Sequence, residues 1–428
     1  MSISILNGHV IDPANNIDEI NNIHIDGENI LAIGDSPKNF KPKETIDASN
    51  LIVMPGIVDI AASLREPGYT AKGTLESETL AAAKGGITTI ICTPDTDPVI
   101  DTPADIEFIH RMARKLQQAR VLTAAALTKN LEGSQLSSVA ALKSAGCVAL
   151  SNARKPLANT LVERRALEYA ATFDMTVFLR PEDMHLRAGG CAHEGVISTR
   201  LGLPGIPSAA ETVAVARDLA LAKHTGARIH FRSLSAAGSA AMLKEAQSAK
   251  LPVSADVAIH QLHLTEMDIE NFDSRCHVSP PLRSQKDREA LREAVSNGSI
   301  QAICSDHQPH ELDAKNAPFP DTEPGISGFE TLLALTLRLV DEDVLSLPDA
   351  IARVTSGPAD LLGLPYGRLN IGLPADICIF DPKAYWRLDQ NKLLSEGKNT
   401  PFEGWEFRGS ITHTIFNGRI INIKLKSY

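Results

Sequence analysis

Two hydrophobic rhythms share this chain. Over residues 1 to about 54, apolar and polar positions alternate in short stretches: ISILNGHVID, NIHIDGENILAIG and ETIDASNLIVMP. A period of two predicts strands, and the Asn-Gly and Asp-Gly pairs between them predict hairpin turns. GRLNIGLPADICIFDP and GSITHTIFNGRIINIKL, near the other end, follow the same rhythm. The economical arrangement joins residues 1–54 and 365–428 into one small β-sandwich built from both termini.

Residues 55–364 behave differently. Continuous β-branched runs recur there: GIVDI, ITTIICT, RVLTAAAL, CVALS, TVFLR, RIHFRSL, PVSADVA and SIQAICSD. Between them lie stretches of helical period, among them LESETLAAAKGG, DIEFIHRMARKLQQA, NTLVERRALEYAATF, SAAETVAVARDLALAKHTG and QKDREALREAVSNG. Glycine often closes these stretches, as at a helix C-terminus. About eight strand-then-helix units predict an α/β fold, a (β/α)8 TIM barrel, with a doubly wound open sheet as the alternative. In a barrel, the side chains that perform chemistry stand at the C-terminal ends of the strands.

Composition narrows the class of function. At 428 residues, 43% hydrophobic and 22% charged, the chain reads as a soluble globular protein of one large and one smaller domain. A net charge of −10 argues against nucleic acid and anionic membranes as partners. The six cysteines show no C-x-x-C spacing and lie mostly in apolar runs, which predicts buried free thiols. MSISILNGHVIDP has no basic segment followed by a long apolar one, so no signal peptide is expected. No apolar run approaches the roughly 18 residues of a membrane span. The expected location is cytoplasmic.

The strand-end motifs then carry a resemblance. MPGIVDI…LREPG, GGITTIICTPDTDP, EGVISTRLGLPGIPSAAE, VSADVAIHQLHLT, VSPPLRSQKDREAL, CSDHQPH, PGISGFET and GRLNIGLPADICIFDP follow in the order seen in dihydroorotases of the amidohydrolase superfamily. That resemblance implies a TIM barrel of amidohydrolase type with one or two zinc ions at its mouth. It also exposes departures. Where the family's first strand ends D-x-H-x-H, this chain has Ala61 and Ser63. Where the family has an acidic pair after the fourth strand, it has Asn152 and Ala153, followed by Arg154. Arg180 stands in place of the next histidine, with Glu182 and Asp183 kept; His230 is kept, but Ser233 replaces the ligand histidine beyond it. Asp306 occupies the position of the family's catalytic aspartate. A lone carboxylate does not hold zinc, which takes about three protein ligands in a catalytic site.

The resemblance therefore implies that zinc is absent, that Asp306 is vestigial, and that no cofactor is bound. If the register were shifted, His193, His260, His263, His307 and His310 could form another site; the reading preferred is that they are hydrogen-bonded structural groups. In the family, the Arg of L-R-x-P-G and an Asn hold the substrate carboxylate. Arg65 is present here, but Asp95 replaces the Asn, and His310 completes a vestigial pocket. An ion pair of Arg65 with Asp95 or Glu66 is expected, and Arg180 or Arg154 is expected to pair with Asp306. The specific resemblance is to inactive dihydroorotase homologues of some bacteria. It implies a non-catalytic pseudoenzyme of pyrimidine biosynthesis, a homodimer that binds the aspartate carbamoyltransferase catalytic subunit. The alternatives are a rebuilt cyclic-amide hydrolase and a metabolite sensor using the old pocket.

Overall fold

The computed structural model describes residues 2–422. Eight parallel strands form its centre: Ile57–Ala62, Ile87–Cys92, Arg120–Ala126, Ala149–Ser151, Val177–Leu179, Ile229–Phe231, Val253–Ala258 and Ala302–Cys304. Strands adjacent in sequence are adjacent in this sheet. Ala62 bridges His307 in parallel across the seam between the last strand and the first, so the sheet nearly closes into a barrel. All eight predicted runs became strands. Parallel strands are covered on both faces, so they read as unbroken apolar runs; all six residues of Ile57–Ala62 are buried.

The intervening helices begin on sequence-legible caps. Thr74 and Ser77 form a reciprocal capping box for Leu75–Lys84. Asn159 caps Thr160–Thr172, and Ser284 with Asp287 caps Gln285–Ser296. The barrel interior is packed largely with small side chains, including Val58, Ala61, Ala124, Ala149, Ala258 and Ala302, around the buried ring of Phe178.

A second, mixed sheet joins the two ends of the chain. Its order runs Arg419–Ile420, Glu406–Phe416, Ile377–Arg387, Ile52–Pro55, Ser2–Asp12, Ile17–Asp26, Asn29–Ile33, with Glu44–Asp47 also pairing Ser2–Asp12. The contact between the ends is the antiparallel pairing of Ile52–Pro55 with Ile377–Phe380. One predicted turn is not a turn. Asn7-Gly8 lies inside the single strand Ser2–Asp12 as a bulge, where the register shifts between Ile5 and Gly8. Asn7 takes the left-handed conformation (φ 60°), and a Cβ on Gly8 would stand 2.5 Å from Val53 Cγ2. The dipeptide thus serves a close strand crossing here. Asp26-Gly27 and Asn417-Gly418 do turn hairpins. The last residues of GSITHTIFNGRIINIKL, 423–425, lie outside the described residues. All six cysteines are buried and free. Among the described residues no helix is long and apolar enough to cross a membrane.

Candidate functional site at the barrel mouth

The first strand delivers three residues to the mouth. Ala61 is fully buried and fills the inner core. Ser63 is fixed by its own N–H, which donates to the His307 carbonyl at 2.9 Å. Its hydroxyl lies 3.1 Å from Thr93 Oγ1 and accepts from Arg154 Nη2 at 3.2 Å. Beneath them, the buried Asp59 accepts from the backbone N–H and hydroxyl of Ser305, tying the first strand to the last. Burial pushes the Asp59 carboxyl up to about 7, although the Ser305 bonds favour its ionised form.

Arg65 does not pair as expected. Its Nε donates to the Pro309 carbonyl at 3.0 Å, and its Nη2 lies 3.1 Å from His310 Nε2. Glu66 instead accepts from the Leu75 N–H at 2.7 Å, at the start of a helix. The partner of Asp95 is Arg154, whose Nη2 donates to Oδ2 at 2.9 Å. Burial would raise the Asp95 carboxyl, but the guanidiniums of Arg154 and Arg65 and the Thr93 hydroxyl outweigh it and hold the group well below the usual carboxylate range. Backbone conformation accounts for the exchange. Ala153 is left-handed (φ 52°), its N–H held by Ser151 Oγ at 3.0 Å, and the chain after it brings Arg154 to Ser63 and Asp95. Arg65 is left-handed too (φ 66°) and bonds toward the Pro309–His310 loop. His310 is pushed down to about 2 by burial and by the charges of Arg65, Lys72 and Lys315, so its ring is neutral.

The other strand ends are similarly committed. Asn152 Oδ1 accepts from Thr128 Oγ1 at 2.6 Å, and its Nδ2 donates to the Lys155 carbonyl at 2.9 Å. Arg180 Nη2 donates to Ser279 Oγ at 2.7 Å, and burial lowers its pKa against the opposing pull of Glu182 and Asp306. Glu182 lies 3.7 Å from Arg187, and Asp183 caps a short helix. His230 is wholly buried, between Ser254 Oγ at 2.8 Å and Asp256 Oδ2 at 2.9 Å. The other oxygen of Asp256 accepts from the Ser233 N–H at 2.6 Å.

Asp306 is buried and left-handed (φ 45°). The expected ion pair with Arg180 or Arg154 is not formed, because Arg180 is held by Ser279 and Arg154 by Ser63 and Asp95. The histidines also divide. His193, His263, His307 and His310 are hydrogen-bonded, as expected. His260 is not: it is 1% exposed and neither ring nitrogen has a partner. Burial pushes it down to about 4 against the pull of Asp306, leaving a neutral imidazole. Arg232, which no sequence motif marks, is also buried at the mouth with an unpartnered Nε.

A zinc ion does not fit this donor set. Ala61 offers no donor, Ser63 and His230 are committed elsewhere, and Arg180 brings a cation where a ligand would be needed. Among the described residues no three His, Cys, Asp or Glu side chains converge as metal ligands.

Comparison with known proteins places the chain. A family model described as dihydro-orotase-like matches residues 50–239, and one described as amidohydrolase family matches 246–422. A dihydroorotase-like protein of Pseudomonas aeruginosa is 49% identical over 98% of this chain and 99% of its own length. This chain belongs to the dihydroorotase-like amidohydrolases. A dihydroorotase of Syntrophotalea carbinolica is 42% identical over 98% of the chain and 99% of its own length. The L-hydantoinase of Arthrobacter aurescens shares the fold, with a TM-score of 0.89, 23% identity, and coverage of 100% of this chain and 97% of its own. These findings correct the expectation of a non-enzyme. Relatives 42% identical and matched along 99% of their own length are named dihydroorotase. That expectation rested on the zinc ligands missing from the mouth. In this dihydroorotase-like chain, Arg154 and Arg180 bring positive charge there.

Proposed function

We propose that this chain is a rebuilt cyclic-amide hydrolase of pyrimidine biosynthesis. It handles an acidic cyclic amide, or its open-chain form, at the barrel mouth without a divalent cation, and it works bound to aspartate carbamoyltransferase. The observation that carries the chemistry is the pairing of an intact mouth frame with guanidiniums in place of metal ligands. Arg65 remains available to a substrate carboxylate. Arg154 and Arg180 stand where positive charge is needed against a developing oxyanion. Asp306 and the neutral His260 are the proton-handling groups left at the strand ends. Similarity to the Pseudomonas dihydroorotase-like proteins along the whole chain supports a place in the same pathway. The partner rests on the motif resemblance alone, as does a homodimeric state.

One preparation tests both parts. Purified protein is assayed for ring opening and closure of dihydroorotate, with and without chelator, and its zinc is measured. The same sample is run through size exclusion with aspartate carbamoyltransferase. Chelator-insensitive turnover, substoichiometric zinc and co-elution are expected. Stoichiometric zinc with chelator-sensitive turnover overturns the metal-free chemistry, absence of turnover overturns the hydrolase, and separate elution overturns the partner.

A further inference from the structure

Positive charge at the mouth is carried by strands on opposite sides of the barrel. Arg65 follows the first strand of the eight-membered ring and Arg180 follows the fifth, on the opposite side. Neither guanidinium is bonded to a carboxylate: Arg65 meets the Pro309 carbonyl and His310, and Arg180 meets the Ser279 hydroxyl. Beside Arg180 stands Arg232, immediately after the sixth strand. It is 6% exposed, and its Nε is buried with no hydrogen-bond partner. Both line one small cavity with Glu182, Glu211 and Ser233. Of the two carboxylates there, Glu211 is engaged, accepting from the Ser235 N–H and hydroxyl and from the Ala236 N–H, while Glu182 lies 3.7 Å from Arg187 and makes no hydrogen bond to Arg180 or Arg232. A buried guanidinium N–H without an acceptor is costly, and an anion supplies the missing acceptor.

We propose that the mouth selects an open-chain dicarboxylate over the cyclic monocarboxylate, with Arg65 taking one carboxylate and Arg180 with Arg232 taking the other. This rests on the reading of the mouth as a site for an acidic cyclic amide. Hydrolysis of such a ring breaks its C–N bond, adds the water oxygen to the carbonyl carbon and leaves the nitrogen protonated. The ring carbonyl thereby becomes a second carboxylate. To Arg180 and Arg232 the ring presents only a neutral carbonyl, whereas the opened form presents a charge that a planar guanidinium can grip with two parallel bonds. Arg154 contributes less to this choice, because Asp95 already neutralises it.

Isothermal titration of the full chain with N-carbamoyl-L-aspartate and with L-dihydroorotate, in one buffer and with ligand identity checked afterwards, tests the inference. The dicarboxylate is expected to bind roughly tenfold tighter or more. Arg180→Gln should weaken the dicarboxylate about tenfold while moving the cyclic ligand less than about twofold, and Arg65→Gln should weaken both. Arg232→Gln should repeat the Arg180→Gln pattern, which guards against one variant that fails to fold. Equal affinities, a preference for the ring, or a parallel loss of both ligands in Arg180→Gln overturns the selectivity alone. Failure of both ligands to bind at millimolar concentration overturns the proposed pocket, and this inference with it.

Discussion

The floor of the mouth depends on one buried pair, Glu78 and His307, both fully buried. The Gly328 N–H donates to His307 Nδ1 at 3.1 Å, so the ring proton sits on Nε2 and is donated to Glu78 Oε2 at 2.8 Å. The other oxygen of Glu78 accepts from Ser77 Oγ at 2.8 Å and from the Glu396 N–H at 3.0 Å. Glu78→Ala would leave the buried imidazole N–H without an acceptor, while Ser77 could turn to the Thr74 carbonyl and the Glu396 N–H, on an exposed residue, to water. One buried orphaned donor at about 1–3 kcal/mol, with a small cavity, gives a loss of about 2–4 kcal/mol. Glu78→Gln keeps the shape and one acceptor oxygen, and should lose about 1–2 kcal/mol.

The pH dependence follows from the direction of the Glu78 shift. Burial would raise its carboxyl, but the hydrogen bonds it accepts, that from His307 foremost and that from the Glu396 N–H, outweigh this and hold it below its ordinary value. A carboxylate lowered on folding contributes fully above its unfolded pKa of about 4.3 and loses that contribution as pH falls through the folded value. The gap between wild type and Glu78→Ala should therefore be flat across neutral pH and close only in acid. Urea unfolding can be followed by circular dichroism, which reports the barrel, and by the fluorescence of Trp386 and Trp405, which report the second sheet. A single free energy is warranted only where the two transitions coincide. Glu78→Ala within about 1 kcal/mol of wild type would refute the reasoning, as would a gap that changes between pH 6 and 8.

Asp59→Asn should become more favourable relative to wild type as pH rises from about 4 to 7, by up to about 4 kcal/mol, because a carboxyl raised to about 7 on folding binds a proton that the unfolded chain has released; a pH-independent difference would count against it. Arg154→Ala should free Ser63 and raise the Asp95 pKa yet change stability by no more than about 1 kcal/mol, since the paired side chains are 27% and 22% exposed; NMR titration of the Asp95 carboxyl reads the first effect and chemical denaturation the second. His260→Leu removes two unpartnered ring nitrogens and should leave stability unchanged or raise it by about 1 kcal/mol, while lowering any ring-opening rate; a marked fall in melting temperature would show that the ring is bonded after all.

The barrel was legible because its signal is redundant. Eight apolar runs, each followed by a helical period and several by capped starts, leave few alternatives. Asn7-Gly8 misled because a left-handed Asn before Gly suits a bulge as well as a turn, and only the approach of Val53 distinguishes them. At the mouth, residue types were legible but partners were not. Arg154 was visible as a change of charge, yet which carboxylate it reaches depends on the left-handed turn at Ala153, and alanine gives no hint of such a turn. Arg232 falls between the motif positions His230 and Ser233 and reads as one more charged residue. Its burial and its empty Nε appear only when the strands converge.

The backbone also bears on whether the mouth is a relic. Arg65, Ala153, Ser233 and Asp306 follow the first, fourth, sixth and eighth strands, and all four are left-handed (φ 66°, 52°, 52° and 45°). None is glycine, so each costs of order 1 kcal/mol. Such strain persists where surrounding bonds over-determine it, and three of the four are so held: Ser151 Oγ holds the Ala153 N–H, Asp256 holds the Ser233 N–H, and Ser305 Oγ holds the His307 N–H beside Asp306. Those bonds in turn depend on buried acids, Asp256 fastened to His230 and Asp59 fastened to Ser305. A mouth with no ligand to position would gain by relaxing any one of these turns, since the packed core of the barrel lies below them. Those four turns, with Arg65 and Arg180 bonded to no carboxylate after strands on opposite sides of the barrel, are the physical reason to look for chemistry there with an acidic ligand in hand.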